Sequence, residues 1–379
     1  MQYKLSIERN NLIALISAFV FIVPIYLSLK GITALNIVFF TGLIISNSTI
    51  YLKVQFSELF LFSFLFLVYL SSYFLFDIGT YGIEKSIMLI LSLILYLIIS
   101  ISVLNINMFL IYTSYLITIA GFIILIIFLQ NGESLSVNNR LESGIINPIW
   151  MGRFAAVAFI IIYDKNKTRK NFLFLAVNFI IVIFSGSKGP LLGLIAVYLF
   201  HYRKNISFTR LILFLGLSAI FIITFLNMTF IEFFVSRFLS FNPNSQELIQ
   251  EIEGDRLSMF FRTTKNYIEN IDIPVFLFGL GPNQSSYYYY GSVIDERWYP
   301  HNIILELLYE YGFCSIFLFL FALRKSEFWK KSLINSLILF CLVNSFFSGD
   351  LPLNGFLFFF IILKLVRKIG IEKATIYNA

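Results

Sequence analysis

Residues 108–129 read MFLIYTSYLITIAGFIILIIFL, a run without a charged side chain. As a helix rising 1.5 Å per residue it is about 33 Å long, enough to cross a hydrocarbon core of about 30 Å. Runs of similar character recur along the 379-residue chain near 11–29, 32–51, 57–76, 86–104, 146–163, 171–185, 189–202, 211–230, 303–323, 332–347 and 351–366. The pattern predicts an all-α polytopic membrane protein: a single integral membrane domain over 1–379 with about twelve transmembrane helices. Composition agrees, with 59% apolar and 13% charged residues where a soluble domain carries about 25% charge. The same numbers exclude disorder, collagen, coiled coil and a disulfide-stapled secreted domain. Cys314 and Cys341 sit in apolar runs and read as small core residues.

The net charge of +7 reflects the positive-inside bias rather than a nucleic-acid partner. With both termini cytoplasmic, the inner loops collect most of the Lys and Arg, in clusters at 165–170, 203–210, 324–331 and 364–373. One loop is unlike the rest. Residues 231–302 form a large external loop expected to be ordered, with short helices, and to cap the outer face. Helical periodicity there puts Leu257, Phe260, Phe261, Thr264, Tyr267 and Ile268 on one face. A glycine turn follows, Gly279-Leu280-Gly281-Pro282, and then the tyrosine run Tyr287 to Tyr290. The tyrosines, with Trp298 and Tyr299, suit either sugar stacking or an aromatic belt at the membrane interface.

Depth along each helix sorts the polar residues. Arg153 lies roughly 16 Å above Asp164, near the middle of the membrane, and should face a polar cavity or pair with a neighbouring helix. Lys188 lies about 22 Å from Arg203, so the turn Ser185-Gly186-Ser187-Lys188-Gly189-Pro190 is recessed below the outer interface. Small residues around one cation suit an anionic group. His201 is expected at the cytoplasmic edge, with no role. His301 lies about 34 Å above Arg324, at the outer mouth, and Asn302, Glu306 and Glu310 follow at intervals of four on one stripe. Two carboxylates entering a membrane helix must be hydrated or paired. Arg256 opens the amphipathic helix of the long loop, where dipole and guanidinium together favour an anion. The sequence has no P-loop, no dinucleotide fingerprint, no Asp-x-Asp pair and no Cys/His cluster, so the expected chemistry needs no metal or cofactor.

Ser185-Gly186-Ser187-Lys188-Gly189, Arg256, Phe278-Gly279-Leu280-Gly281 and the segment Pro300-His301-Asn302-Ile303-Ile304-Leu305-Glu306-Leu307-Leu308-Tyr309-Glu310-Tyr311-Gly312 resemble, in order and spacing, the bacterial O-antigen polymerase and O-antigen ligase superfamily. The resemblance covers roughly the C-terminal half. It implies a glycosyltransferase of the bacterial inner membrane that polymerises undecaprenyl-diphosphate-linked oligosaccharide repeat units of O-antigen or capsule at the outer face. The lipid-linked donor and acceptor and the bilayer would be its partners, with a chain-length-regulating copolymerase as a further candidate. On this reading His301 is the base and Glu306 orients or assists it. Lys188 and Arg256 bind the diphosphate, with Arg153 and Arg140 as second candidates, and Asn302, Glu310, Gly279 and Gly281 support the site. The family often has Arg where this chain has Lys188, which keeps the charge without the bidentate fork. Displacement would invert the anomeric carbon. Two other readings stand beside it: a ligase passing finished glycan to a lipid A-core, and, more distant, a lipid-linked oligosaccharide flippase or other transporter.

Overall fold

A computed structural model describes residues 11–18, 80–102, 105–130, 148–165, 171–202, 256–269, 271–290, 300, 302–347 and 354–377. All regular structure among these residues is helical. In chain order, after a helical stretch at 11–18, come α1 (Thr80–Ser102), α2 (Ile106–Gln130), α3 (Pro148–Lys165), α4 (Asn171–Phe184) and α5 (Lys188–Val197). They are followed by α6 (Arg256–Glu269), α7 (Ile273–Phe278), α8 (Ser285–Tyr290), α9 (Ile303–Ser326), α10 (Leu333–Ser345) and α11 (Gly355–Tyr377). The expected spans at 32–51, 57–76 and 211–230, and the loop residues 231–255, lie outside the described residues.

Among the described residues, three helices are long and apolar enough to cross a membrane, over Thr80–Leu97, Ile106–Phe128 and Ile303–Ser326. Shorter apolar helices cover Asn171–Phe184, Lys188–His201, Leu333–Ser345 and Gly355–Val366. The chain is thus a multi-pass membrane protein whose described residues are all-helical in their regular structure. α3 is not among these helices, because Arg153, Asp164 and Lys165 dilute its apolar content. After Val197 the chain loosens into a π-helical turn, Tyr198–Tyr202, where a plain α-helix was expected to 202. The last helix runs on to Tyr377, past the expected end at 366.

The described residues fall into two units. One holds α2 to α5 and nearly all of α10. Within it α3 packs on both α2 and α4. Asn178 of α4 donates to Thr118 of α2 at 2.7 Å, a buried polar tie of the kind that joins membrane helices where apolar faces give no selectivity. Gly193 of α5 lies so close to α10 that a Cβ there would crowd the Phe340 ring and the Asn344 amide. His201 is buried, with Nδ1 2.7 Å from Ser336 Oγ.

The other unit holds α1, α6 to α9 and α11. α11 packs along α1, with Tyr96 and Phe359 edge to face at 5.6 Å, and also meets α9. α9 was read as continuous, yet it breaks at Gly312, where φ is 71° and ψ −176°. Ser315 Oγ spans the break, donating to the carbonyls of Leu307 and Gly312 at 2.9 and 2.7 Å. The broken turn is where α7 docks. A Cβ at Gly312 would overlap the backbone of Leu277 and Phe278, and one at Gly279, with φ 79°, would overlap Glu310 and Tyr311. Positive φ alone costs a non-glycine residue about 1–3 kcal/mol. Gly279→Ala and Gly312→Ala should therefore each lower the thermal midpoint of the purified protein. An unchanged melting curve for either would contradict this close approach.

Candidate active site

The glycine turn is held to α9 by its backbone. The N–H groups of Leu280 and Gly281 donate to the carbonyls of Tyr309 and Glu310 at 2.9 Å each. A continuous helix would keep those carbonyls for residues 313 and 314, so the break at Gly312 frees them for the turn. Gly279 thus lets two backbones meet, and Gly281 follows it at φ 102°. The N-terminal end of α9 is set by Asn302, whose side chain accepts from the N–H groups of Ile304 and Leu305 at 3.0 and 3.3 Å. Loss of such a cap costs about 0.5–2 kcal/mol.

Below the cap, Glu306 and Glu310 lie one turn apart and are both fully buried. Their cation is Lys85 of α1, itself 1% exposed. Its ammonium donates to both carboxylate oxygens of Glu310 at 2.7 Å and lies 2.5 Å from Glu306 Oε1. Ser285 Oγ at the start of α8 donates to Glu310 Oε1 at 2.9 Å, and the Asn283 backbone bonds the same carboxylate. The expected Glu stripe is therefore paired, and the partner is a lysine that was not singled out from the sequence. Removing one member of a buried ion pair costs about 3–5 kcal/mol, because the other charge is left uncompensated.

A tyrosine cluster joins α6, α8 and α9. Tyr267, Tyr288 and Tyr309 pack on one another with ring centroids 5.0 to 5.2 Å apart. Thr264 Oγ1 and Tyr309 Oη are 3.1 Å apart, and Asn266 donates to the Tyr288 carbonyl at 2.7 Å. Burial, with Tyr309 nearby, pushes the Tyr267 phenol up to about 12, and burial also raises Tyr288. Both stay protonated at neutral pH and are poor bases. Tyr288 is thus core, whereas Tyr287 and Tyr290 of the same run are exposed. The amphipathic face of α6 also differs from expectation. Thr263 and Tyr267 are buried while Ile268 is 67% exposed, since α6 turns its Thr263–Tyr267 edge toward α8 and α9. The side chains of Leu257, Phe260 and Phe261 lie outside the described residues, as does that of Arg256, the first residue of α6.

Lys188 and Arg153 belong to the first unit. The turn before α5 is buried at Ser185 and Ser187, with Gly186 at φ 58°, while Lys188 itself is exposed. Gly152 of α3 lets that turn come close: a Cβ there would overlap the Ser185 hydroxyl. Arg153 meets a neighbouring helix. It is 5% exposed, donates to the Asn344 carbonyl at the end of α10 at 3.3 Å, and lies 5.3 Å from the Trp150 ring centroid. His301, Arg140, Trp298 and Tyr299 lie outside the described residues.

Residues 172–320 match the family model described as O-antigen ligase. The matched stretch contains Lys188, Arg256, Gly279, Gly281, His301, Glu306 and Glu310; Lys85, Arg140 and Arg153 precede it. No curated protein and no solved structure matches. A family of this description comprises membrane enzymes of lipopolysaccharide and polysaccharide synthesis that transfer glycan from lipid-linked substrates.

Proposed function

We propose, from the match of residues 172–320 to the O-antigen ligase family model, that this protein polymerises undecaprenyl-diphosphate-linked repeat units at the outer face of the bacterial inner membrane. The observation that carries the proposal is the buried Glu306–Lys85–Glu310 cluster directly below the capped helix start at Asn302. Buried charge at the end of a membrane helix is costly and marks a working site. In the reaction, an acceptor sugar hydroxyl attacks the anomeric carbon of the donor, and the bond from that carbon to the diphosphate breaks. The hydroxyl proton passes to His301, with Glu306 orienting or assisting the imidazole. Undecaprenyl diphosphate leaves with the bonding electron pair, its charge met by Lys188 and Arg256. A diphosphate is already a good leaving group, so charge stabilisation and a base suffice without a metal. In-line attack inverts the anomeric centre. Arg140 is a second candidate for the diphosphate. Arg153 is weaker in that role, since its guanidinium is engaged by Asn344 and Trp150.

The family description favours a second reading, in which the acceptor is a lipid A-core. Purified protein in proteoliposomes separates the two. A lipid-linked repeat unit alone should yield a ladder of longer lipid-linked glycans. No ladder alone, but one product once lipid A-core is added, would make the protein a ligase.

The reaction side can be checked independently. In an otherwise cysteine-free protein, Lys265→Cys in the long loop should react with an impermeant thiol reagent added to intact cells. Lys330→Cys should not; both positions are exposed, so access alone decides. Labelling at 330 and not at 265 would reverse the orientation.

A further inference from the structure

α7 belongs to the long loop, yet it meets α9 at a depth that a cap over the membrane would not reach. A Cβ on Gly312 would overlap the backbone of Leu277 and Phe278, so the end of α7 lies level with the break in α9. Beyond the break, Phe313 to Leu323 are uncharged, and Arg324 is the next charged residue. From Gly312 to Arg324 the helix rises about 18 Å, against a hydrocarbon core of about 30 Å. The break, and the end of α7 with it, is therefore about 12 Å inside the boundary on the long-loop side, and any tilt of α9 sets it deeper.

The residues of α7 suit that depth. Positions 273–282 read IPVFLFGLGP, an uncharged run too short to span and of the length of a re-entrant segment. From Asp272, which is exposed, to Phe278 the helix rises about 9 Å, close to the depth of the break. Phe276 stacks on Phe313 with ring centroids 5.3 Å apart, and both are exposed. Phe317, one turn further along α9, is exposed as well. In a helix long and apolar enough to span, such a stripe faces lipid, and Phe276 continues it. Non-helical backbone at this depth must be buried in protein and hydrogen-bonded there. The turn after α7 meets that demand. Gly279 and Gly281 are buried, and the N–H groups of Gly279, Leu280 and Gly281 donate to the carbonyls of Val275, Tyr309 and Glu310.

We propose that α7 and its glycine turn form a re-entrant segment seated in the leaflet on the long-loop side, with Phe276 against lipid acyl chains beside Phe313 and Phe317. The occupant of this apolar surface is bilayer hydrocarbon, because the stripe that Phe276 continues belongs to a spanning helix.

A nitroxide at Phe276→Cys in an otherwise cysteine-free protein in proteoliposomes reads the depth, with Phe317→Cys in α9 and Lys265→Cys in α6 as references. Oxygen concentrates in hydrocarbon and a nickel chelate in water, so the ratio of the two accessibilities rises with depth. The ratio at Phe276 should lie closer to that at Phe317 than to that at Lys265. A ratio closer to that at Lys265 would overturn the proposal and put α7 over the membrane. Should the cysteine-free chain not fold, the unaltered protein decides. Phosphatidylcholine carrying a diazirine midway along one acyl chain, photolysed in proteoliposomes, should label residues 273–278 as well as Phe317. Label at Phe317 with none in 273–278 would overturn the proposal. A Phe317 that reads or labels as water-exposed would overturn it too, since the stripe itself would not face lipid.

Discussion

His301→Ala should slow glycan transfer by roughly 10²- to 10⁴-fold while leaving donor binding largely intact, a loss of about 3–5 kcal/mol in transition-state stabilisation. The sugar hydroxyl is a weak nucleophile until its proton has somewhere to go, and an imidazole with an unperturbed pKa of about 6.5 suits that task near neutrality. Its place in the chain supports the assignment. His301 directly precedes Asn302, whose side chain caps α9, and the chain then descends to Glu306 within the first turns of the helix. Single-turnover rates and donor binding, measured separately, check the prediction. Were His301→Ala to lose donor affinity while Glu306→Ala lost only rate, the histidine would be a diphosphate ligand and Glu306 the base.

Arg256→Ala and Lys188→Ala should behave differently from His301→Ala, losing donor affinity together with rate. In the proposed mechanism these cations meet charge that exists on the diphosphate before reaction and grows as it departs, so their removal weakens both ground state and transition state. A charge-assisted contact is worth about 1.5–3 kcal/mol, which corresponds to roughly 10- to 150-fold in donor affinity for each. Lys188 is exposed beside a buried small-residue turn. Lys188→Arg should retain much of the activity, since the charge persists and gains a second donor pair. Normal donor affinity in Lys188→Ala at equal expression would remove that residue from the site.

Much of this architecture can be read from the residues alone. Uninterrupted apolar runs place α2, α4 and α9 within a few residues of their ends, because a bilayer leaves the backbone little choice but helix. The Asn302 cap and the pairing demand of Glu306 and Glu310 follow from equally local rules. What escapes local rules is long-range. Lys85 is 225 positions from Glu310 and, near the start of an apolar run, looks like any snorkelling lysine. The demand for a cation was visible, but its source was not. The break at Gly312 is hidden for a related reason. A glycine inside a helical pattern is ambiguous, and only its meeting with Leu277 and Phe278, far back in the chain, requires φ 71°. Ile268 was misplaced because a short helix with apolar residues on two sides does not declare which side is covered.

As proposed, this protein joins lipid-linked repeats using its own side chains as base and charge stabilisers. The most direct test counts both products of purified protein given undecaprenyl-diphosphate-linked repeat unit in excess EDTA. The account predicts a ladder of longer glycans, with one undecaprenyl diphosphate released for every linkage formed and the new linkage inverted at the anomeric carbon. A ladder that vanishes with EDTA and returns with magnesium or manganese would contradict it, as would glycan lengthening without release of undecaprenyl diphosphate.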